Sequence, residues 1–288
     1  MTKYVMIIPQ GGFNDCLVNI LKAINYCKNN NRILLINMKN TTYSYKINFS
    51  DYFDFEDNNI IYNYNIIEQI IKKKEYSVYP NCLNNKLVDI LNDKLKFYYE
   101  FKDDGRPNNF YYNNTLLYYL PENNVNEDII IYSGCGGGNG FDLFKQLIFK
   151  DNIKHHCTQK LKILQDINYL CIQVRNTDTK TDYISFYNSN KDLIHSFKNI
   201  YVATDDISVV DYFKSKKLNI FNFSTFPEKP SGNLHYSNVN EDIKIKDLIC
   251  DIFIATNSNK LLSNSTGGYI KLMKDCFENK NIIINKFF

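Results

Sequence analysis

Residues 169–178 read YLCIQVRNTD, a mostly apolar run that stops at an arginine. Such a run, closed by polar residues, has the pattern of a strand buried on both faces in a parallel sheet. Arg175 then stands just past the carboxyl end of the strand, the edge at which open parallel sheets bind ligands. The chain holds only three arginines, Arg32, Arg106 and Arg175, and takes nearly all its positive charge from lysine. Where lysine is the default cation, an arginine marks a place that uses the planar guanidinium fork, which grips phosphate through two hydrogen bonds. A surface ion pair with Asp178 or Asp182 is the competing reading of Arg175.

Outward from this stretch, apolar runs alternate with helical periods. The pattern predicts strands at 169–174, 200–203, 218–223, 260–262 and 282–284, with helices at 191–197, 208–216, 241–253 and 267–278 between them. Toward the amino terminus it predicts a strand at 4–8, a helix over 14–28 and a strand at 33–36, a βαβ unit with a parallel pair. The stretch 40–125, rich in Tyr and Asn, gives few clean periods beyond helices at 66–74 and 84–93. A further strand at 128–132 precedes the loop SGCGGGNG (133–140) and a helix at 141–149. The fold class that follows is α/β, with two Rossmann-like lobes, residues 1–160 and 161–288, and a cleft between them.

Composition narrows the function. The 288 residues carry 34 basic and 31 acidic side chains, a net charge of +3. So even a balance, with scattered lysines, argues against a nucleic-acid partner. Abundant Asn, Ile, Lys and Tyr reflect nucleotide bias. The eight cysteines include no CxxC pair and read as reduced thiols of a cytoplasmic protein. His155-His156-Cys157 lacks a second ligand pair at useful spacing, so no metal is expected. The first apolar run, before Pro9, is too short for a secretory or membrane-spanning segment.

Three other stretches fall at strand ends. In PQGGFNDCL (9–17), Gly11 and Gly12 permit an unusual turn, and the helix start that follows offers amides to an anion. In YVATDDIS (201–208), Asp205 and Asp206 begin a helix, where capping and ribose contact both fit. In LLSNSTGGYIKLM (261–273), hydroxyls and free amides at a helix start suit a phosphate. Neither this stretch nor GCGGGNG matches a P-loop or a GxGxxG dinucleotide site.

The order of these pieces resembles the GDP-fucose-dependent fucosyltransferases, the superfamily of α1,6-, α1,2- and protein O-fucosyltransferases. GGFND looks like the family's glycine-rich first turn, QVRNTD stands where the family has His-x-Arg, and YVATDD resembles its Ala-Thr-Asp-Asp turn. Asp251, followed by Ser265-Thr266, looks like the family's Asp and its Ser-Ser or Ser-Thr pair. The chain departs from the pattern in three places: Gln173 replaces the histidine, Asn176 a second arginine found in some branches, and Gly267 a frequent aromatic.

The resemblance implies a GT-B-like fold and an inverting, metal-independent transfer of fucose from GDP-fucose to a glycan hydroxyl. The first lobe would face the acceptor and the second would bind the nucleotide sugar. Donor contacts carried over or read from the turns are Gly12, Phe13, Asn14, Gln173, Arg175, Asp178, Asp205, Asp251, Ser265, Thr266 and Gly267. Arg175 would hold the leaving diphosphate, Asp15 is the candidate base, and His235 and Tyr236 are candidate acceptor contacts. Another nucleotide-sugar transferase, an inert binding relative and a sugar-nucleotide epimerase stay open.

Overall fold

Five parallel strands form the sheet of the first unit. They are β1 (Tyr4–Ile7), β2 (Ile33–Ile36), β3 (Ile60–Ile61), β4 (Val78–Tyr79) and β5 (Ile129–Tyr132), in the spatial order β3-β2-β1-β5-β4. The computed structural model describes residues 2–95, 98–101, 107–112, 114–117, 120–165, 167–177, 179–228 and 237–287. Met6, Ile8, Leu35, Ile129 and Ile131 pack on one face of the sheet with Ile67, Ile71 and Leu87. On the other face lies α1 (Phe13–Asn30), whose Leu17, Ile20 and Ile24 are buried. The obscure middle of the sequence contains one helix of nine residues, Tyr64–Lys72, where the sequence predicts one at 66–74, and otherwise short pieces: two-residue strands, helices of three to five residues and a small antiparallel sheet of residues 98–101, 107–112 and 115–116.

The second unit begins with α2 (Asp151–Ile163) and builds the sheet β8-β7-β6-β9 from β6 (Tyr169–Val174), β7 (Asn199–Thr204), β8 (Asn219–Phe221) and β9 (Lys260–Ser263). All its pairings are parallel, and every residue of β6 is buried, as the run 169–174 predicts for a central strand. Leu170, Ile172, Val174, Ile200 and Val202 face Val209, Val210 and Phe213 of α3 (Ile207–Ser215). Against the opposite face lies α4 (Glu241–Asn257), which also packs on α2 and on α5 (Gly268–Glu278). Helices on both faces of a parallel sheet give a Rossmann-like lobe.

Three differences from the sequence reading have physical reasons. The units divide between Ile148 and Phe149, not at 160, because α2 packs on α4 and so belongs to the second unit. Residues 282–284 lie in a short helix, Lys280–Ile284, rather than a strand. Beyond it, Phe287 stacks on Phe253 of α4 at 4.0 Å and on Phe149 at 4.6 Å, so this segment is held by packing against helices. The helix expected over 141–149 ends at Phe144, after one turn.

Candidate functional site

The register of the second sheet sets Gln173 beside Ala203 on one side and Ser263 on the other, with Val174 beside Thr204. Three strands thus finish together, and the polar residues after them meet. The backbone N–H of Arg175 donates to the Ser265 hydroxyl at 2.9 Å. The Ser265 N–H donates to Ser263 Oγ at 3.0 Å, and that hydroxyl donates to Gln173 Oε1 at 2.8 Å. On the other side, Asp205 accepts from the Asn176 N–H at 2.7 Å and from the Thr177 hydroxyl at 2.6 Å. Asn176 in turn donates from Nδ2 to Asp206 at 2.8 Å, and its carbonyl accepts from Lys180 at 2.8 Å. Despite its partial burial, Asp206 is held below the usual carboxylate range by the Ser208 amide at the start of α3, with Asn176 and Lys180.

The Arg175 guanidinium reaches the start of α5. A Cβ built on Gly267 would lie 3.3 Å from its Nη1. Gly267 has φ +153° and ψ 172°, a conformation confined almost entirely to glycine. Gly267 therefore makes both the backbone turn and the room for the arginine. No side chain caps α5, and its first turn contains no acid. Thr266 is exposed beside it. Uncapped amides at a positive helix end, next to a guanidinium, suit an anion.

Asp251 lies deeper, on α4 under β7. It accepts from the Tyr201 hydroxyl at 2.5 Å and from the Ser224 hydroxyl at 3.2 and 3.3 Å. Burial pushes its carboxyl up to about 7, opposed by those hydrogen bonds and aided by the charge of Asp247. Asp247 accepts from the Thr225 N–H at 2.8 Å and pairs with His156 Nε2 at 3.2 Å. His155 instead meets Gln159, and Cys157 is fully buried, so the three adjacent side chains diverge as expected. Among the described residues no group of three or more His, Cys, Asp or Glu is placed to hold a metal.

In the first unit, the turn after β1 is shaped by buried polar side chains. Gln10 Oε1 accepts from the Thr41 hydroxyl and from the Thr42 and Tyr43 amides, at 2.7, 3.2 and 2.9 Å. Asn14 donates to the Gly138 carbonyl at 3.2 Å and accepts from the Gly140 N–H at 2.9 Å, tying the helix start to the glycine loop. Phe13 is buried, stacked on Phe53 at 5.9 Å with Phe144 and Tyr45 edge-on. The sequence reading assigns both residues to the donor; in the structure the Phe13 ring packs among aromatic rings and the Asn14 amide bonds the glycine loop. Gly12 and Asp15 are half-buried, and Asp15 is the acid in the first turn of α1. Burial, with the charge of Asp15, pushes the nearby Cys135 thiol up to about 12.

Arg32 answers a different need. Its guanidinium donates to Asn124 and to the carbonyls of Tyr4, Val125 and Glu127, stitching the amino ends of the sheet. A cavity of about 630 Å³ opens there, lined by Lys3, Lys28, Arg32 and Asp57, at the edge opposite the Gly11–Asp15 turn. Its cations are engaged, Lys3 with the Val125 carbonyl at 3.1 Å and Lys28 with Asp57 at 3.9 Å. Asp178, His235, Tyr236 and Arg106 lie outside the described residues. No helix among the described residues is long and apolar enough to cross a membrane.

Solved structures share this architecture. The NodZ α1,6-fucosyltransferase soaked with GDP-fucose matches with a TM-score of 0.61 and 13% identity, over 95% of this chain and 92% of that one. The chain has the NodZ fold. A second NodZ structure, from Bradyrhizobium, matches at 0.59 with 12% identity over 95% and 93%. POFUT1 in complex with GDP matches at 0.52 with 9% identity over 95% and 94%. No protein-family model matches the sequence, and no curated protein does. The NodZ fold consists of two Rossmann-like lobes, in agreement with the resemblance carried by GGFND, QVRNTD and LSNST.

Proposed function

We propose that this chain is a glycosyltransferase that moves fucose from GDP-fucose to a glycan hydroxyl with inversion and without a metal. The observation that carries the reading is the Arg175 guanidinium beside the uncapped start of α5, over Gly267. The NodZ fold supports it, since the matched NodZ and POFUT1 structures were solved with GDP-fucose or GDP.

In the transfer, the bond from the anomeric carbon to the β-phosphate oxygen breaks as the acceptor oxygen bonds to that carbon. The electron pair leaves with GDP. Arg175, the Thr266 hydroxyl and the amides of Gly268 and Tyr269 stabilise the charge that develops on the diphosphate. The acceptor proton passes to Asp15, proposed as the general base. Ser265 Oγ already accepts from Arg175, so its remaining contribution is its own hydroxyl proton. Asp205 is engaged by the loop of Arg175, and its part in donor binding is to hold that loop. Asp251 is proposed to line the base subsite; Gly12, Asp178, His235 and Tyr236 complete the proposed contacts.

A second reading, a binding relative without turnover, is favoured by Gln173, a buried amide that cannot shuttle a proton. Calorimetric titration with GDP, UDP and GDP-fucose, followed by assay of GDP release on a glycan panel, separates the readings. Binding of GDP and GDP-fucose with acceptor-dependent release supports transfer. Binding without release supports the inert relative, and preference for UDP removes the fucosyl donor.

A further inference from the structure

Three hydrogen bonds, linked through Ser263 and Ser265, connect Gln173 to the Arg175 N–H across two strands. Gln173 Oε1 accepts from Ser263 Oγ (2.8 Å), Ser263 Oγ accepts from the Ser265 N–H (3.0 Å), and Ser265 Oγ accepts from the Arg175 N–H (2.9 Å). Gln173 is only 4% exposed, and Ser263 ends β9 beside it. We propose that Gln173 and Ser263 are positioning residues, which fix the 263–267 loop and the arginine backbone as one preorganised anion site; this rests on the reading of Arg175 as the diphosphate ligand.

The chemistry of each link supports this. A glutamine at 173 presents a neutral acceptor that does not change with pH, and the serine hydroxyl both donates and accepts, so it relays direction along the chain. A buried amide acceptor left without its donor is costly, so the loop conformation that satisfies Gln173 is favoured over others. That conformation brings Gly267 under the guanidinium and leaves the α5 amides uncapped. Gln173 thereby acts through Ser263 and Ser265, with no contact to the donor required of it.

The test compares Ser263→Ala, Ser263→Thr, Gln173→Met and Gln173→Glu by two readouts. The first is exchange of the Arg175 amide in the nucleotide-free protein, followed by NMR; the second is GDP affinity by calorimetry. Ser263→Ala and Gln173→Met are expected to speed exchange at Arg175 and to weaken GDP about tenfold, while the melting temperature stays within a few degrees. Ser263→Thr keeps the hydroxyl and is expected to restore both readouts, whereas Gln173→Glu keeps the acceptor and is expected to restore slow exchange at Arg175 while its buried negative charge weakens GDP. Wild-type exchange at Arg175 in Ser263→Ala overturns the relay, because the lesion then stops at Ser265. Faster exchange with unchanged GDP affinity overturns the positioning role. If the wild-type protein binds no GDP, the donor reading fails, and exchange alone decides the relay.

Discussion

Two helices begin at a glycine without a side-chain cap, at the carboxyl edges of two parallel sheets, and differ in the charge beside that start. α1 starts at Gly12 and α5 at Gly267, and neither has a side-chain cap. The first turn of α1 contains Asp15, whereas the first turn of α5 has no acid and sits beside Arg175. A helix amino end attracts negative charge. The first unit supplies that charge from its own chain, and the second leaves positive potential beside Arg175. A glycine start without a side-chain cap thus stands beside a candidate base in one lobe and a candidate anion site in the other.

Removing the charge difference should have the largest effect. Arg175→Ala is expected to lower kcat/KM by about 10²–10³, read by GDP release, with folding cooperativity unchanged. Arg175→Lys keeps the charge without the fork and should recover only part of the rate. Asp15→Asn, which makes the two helix starts alike, should lower kcat by about 10² while GDP affinity measured by calorimetry stays at the wild-type value. Equal loss of affinity would show that Asp15 acts on the donor, and the contrast between the two starts would fail.

The glycines sharpen the comparison further. Gly11 has φ +88°, and a Cβ there would lie 2.8 Å from both Asp15 Oδ2 and Cys135 Sγ. Gly11→Ala should therefore cost about 1–3 kcal/mol of stability in a denaturant titration. Gly267→Ala meets only the end of a flexible side chain, the Arg175 Nη1 at 3.3 Å, besides its own backbone strain. It should lower GDP affinity more than Gly11→Ala does, and stability less.

The last effect concerns Asp251 and is read in stability alone. An unfolded chain gives up this proton near 3.8, the folded protein near 7. Between those values the folded state keeps a proton that the unfolded state has lost, so the contribution of this group to stability falls as pH rises from about 4 to about 7, then levels. Asp251→Asn should gain stability relative to the wild type by roughly 1 kcal/mol for each pH unit from about pH 5 to about pH 7 and level above that, in melts across that range. No pH dependence of the difference would mean that Asp251 titrates as an ordinary carboxylate.

Legibility in the sequence followed the physics of each region. The strand 169–174 was readable because burial on both faces forces a continuous apolar run. α2 was not, because it shows mainly polar residues around a narrow buried side of Ile153 and Cys157. Residues 282–284 share one apolar pattern with a strand and a buried helix, and only packing around Phe287 decides between them. At the site, Arg175 was visible through its rarity. The clamps formed by Ser263, Asp205 and Asn176 were not, since a serine or aspartate in a loop carries no mark of its partner across the sheet. Phe13 and Asn14 show the converse: the turn that holds them was legible, yet the burial of their side chains was not.

The stack of Phe149, Phe287 and Phe253 has a topological consequence. The second lobe enters and leaves through one aromatic clasp, so its two ends are neighbours in space. A short linker from 287 to 149 would close this lobe into a ring, and new ends could then be opened in the turn after α3, at the exposed Lys217, without unpicking the sheet.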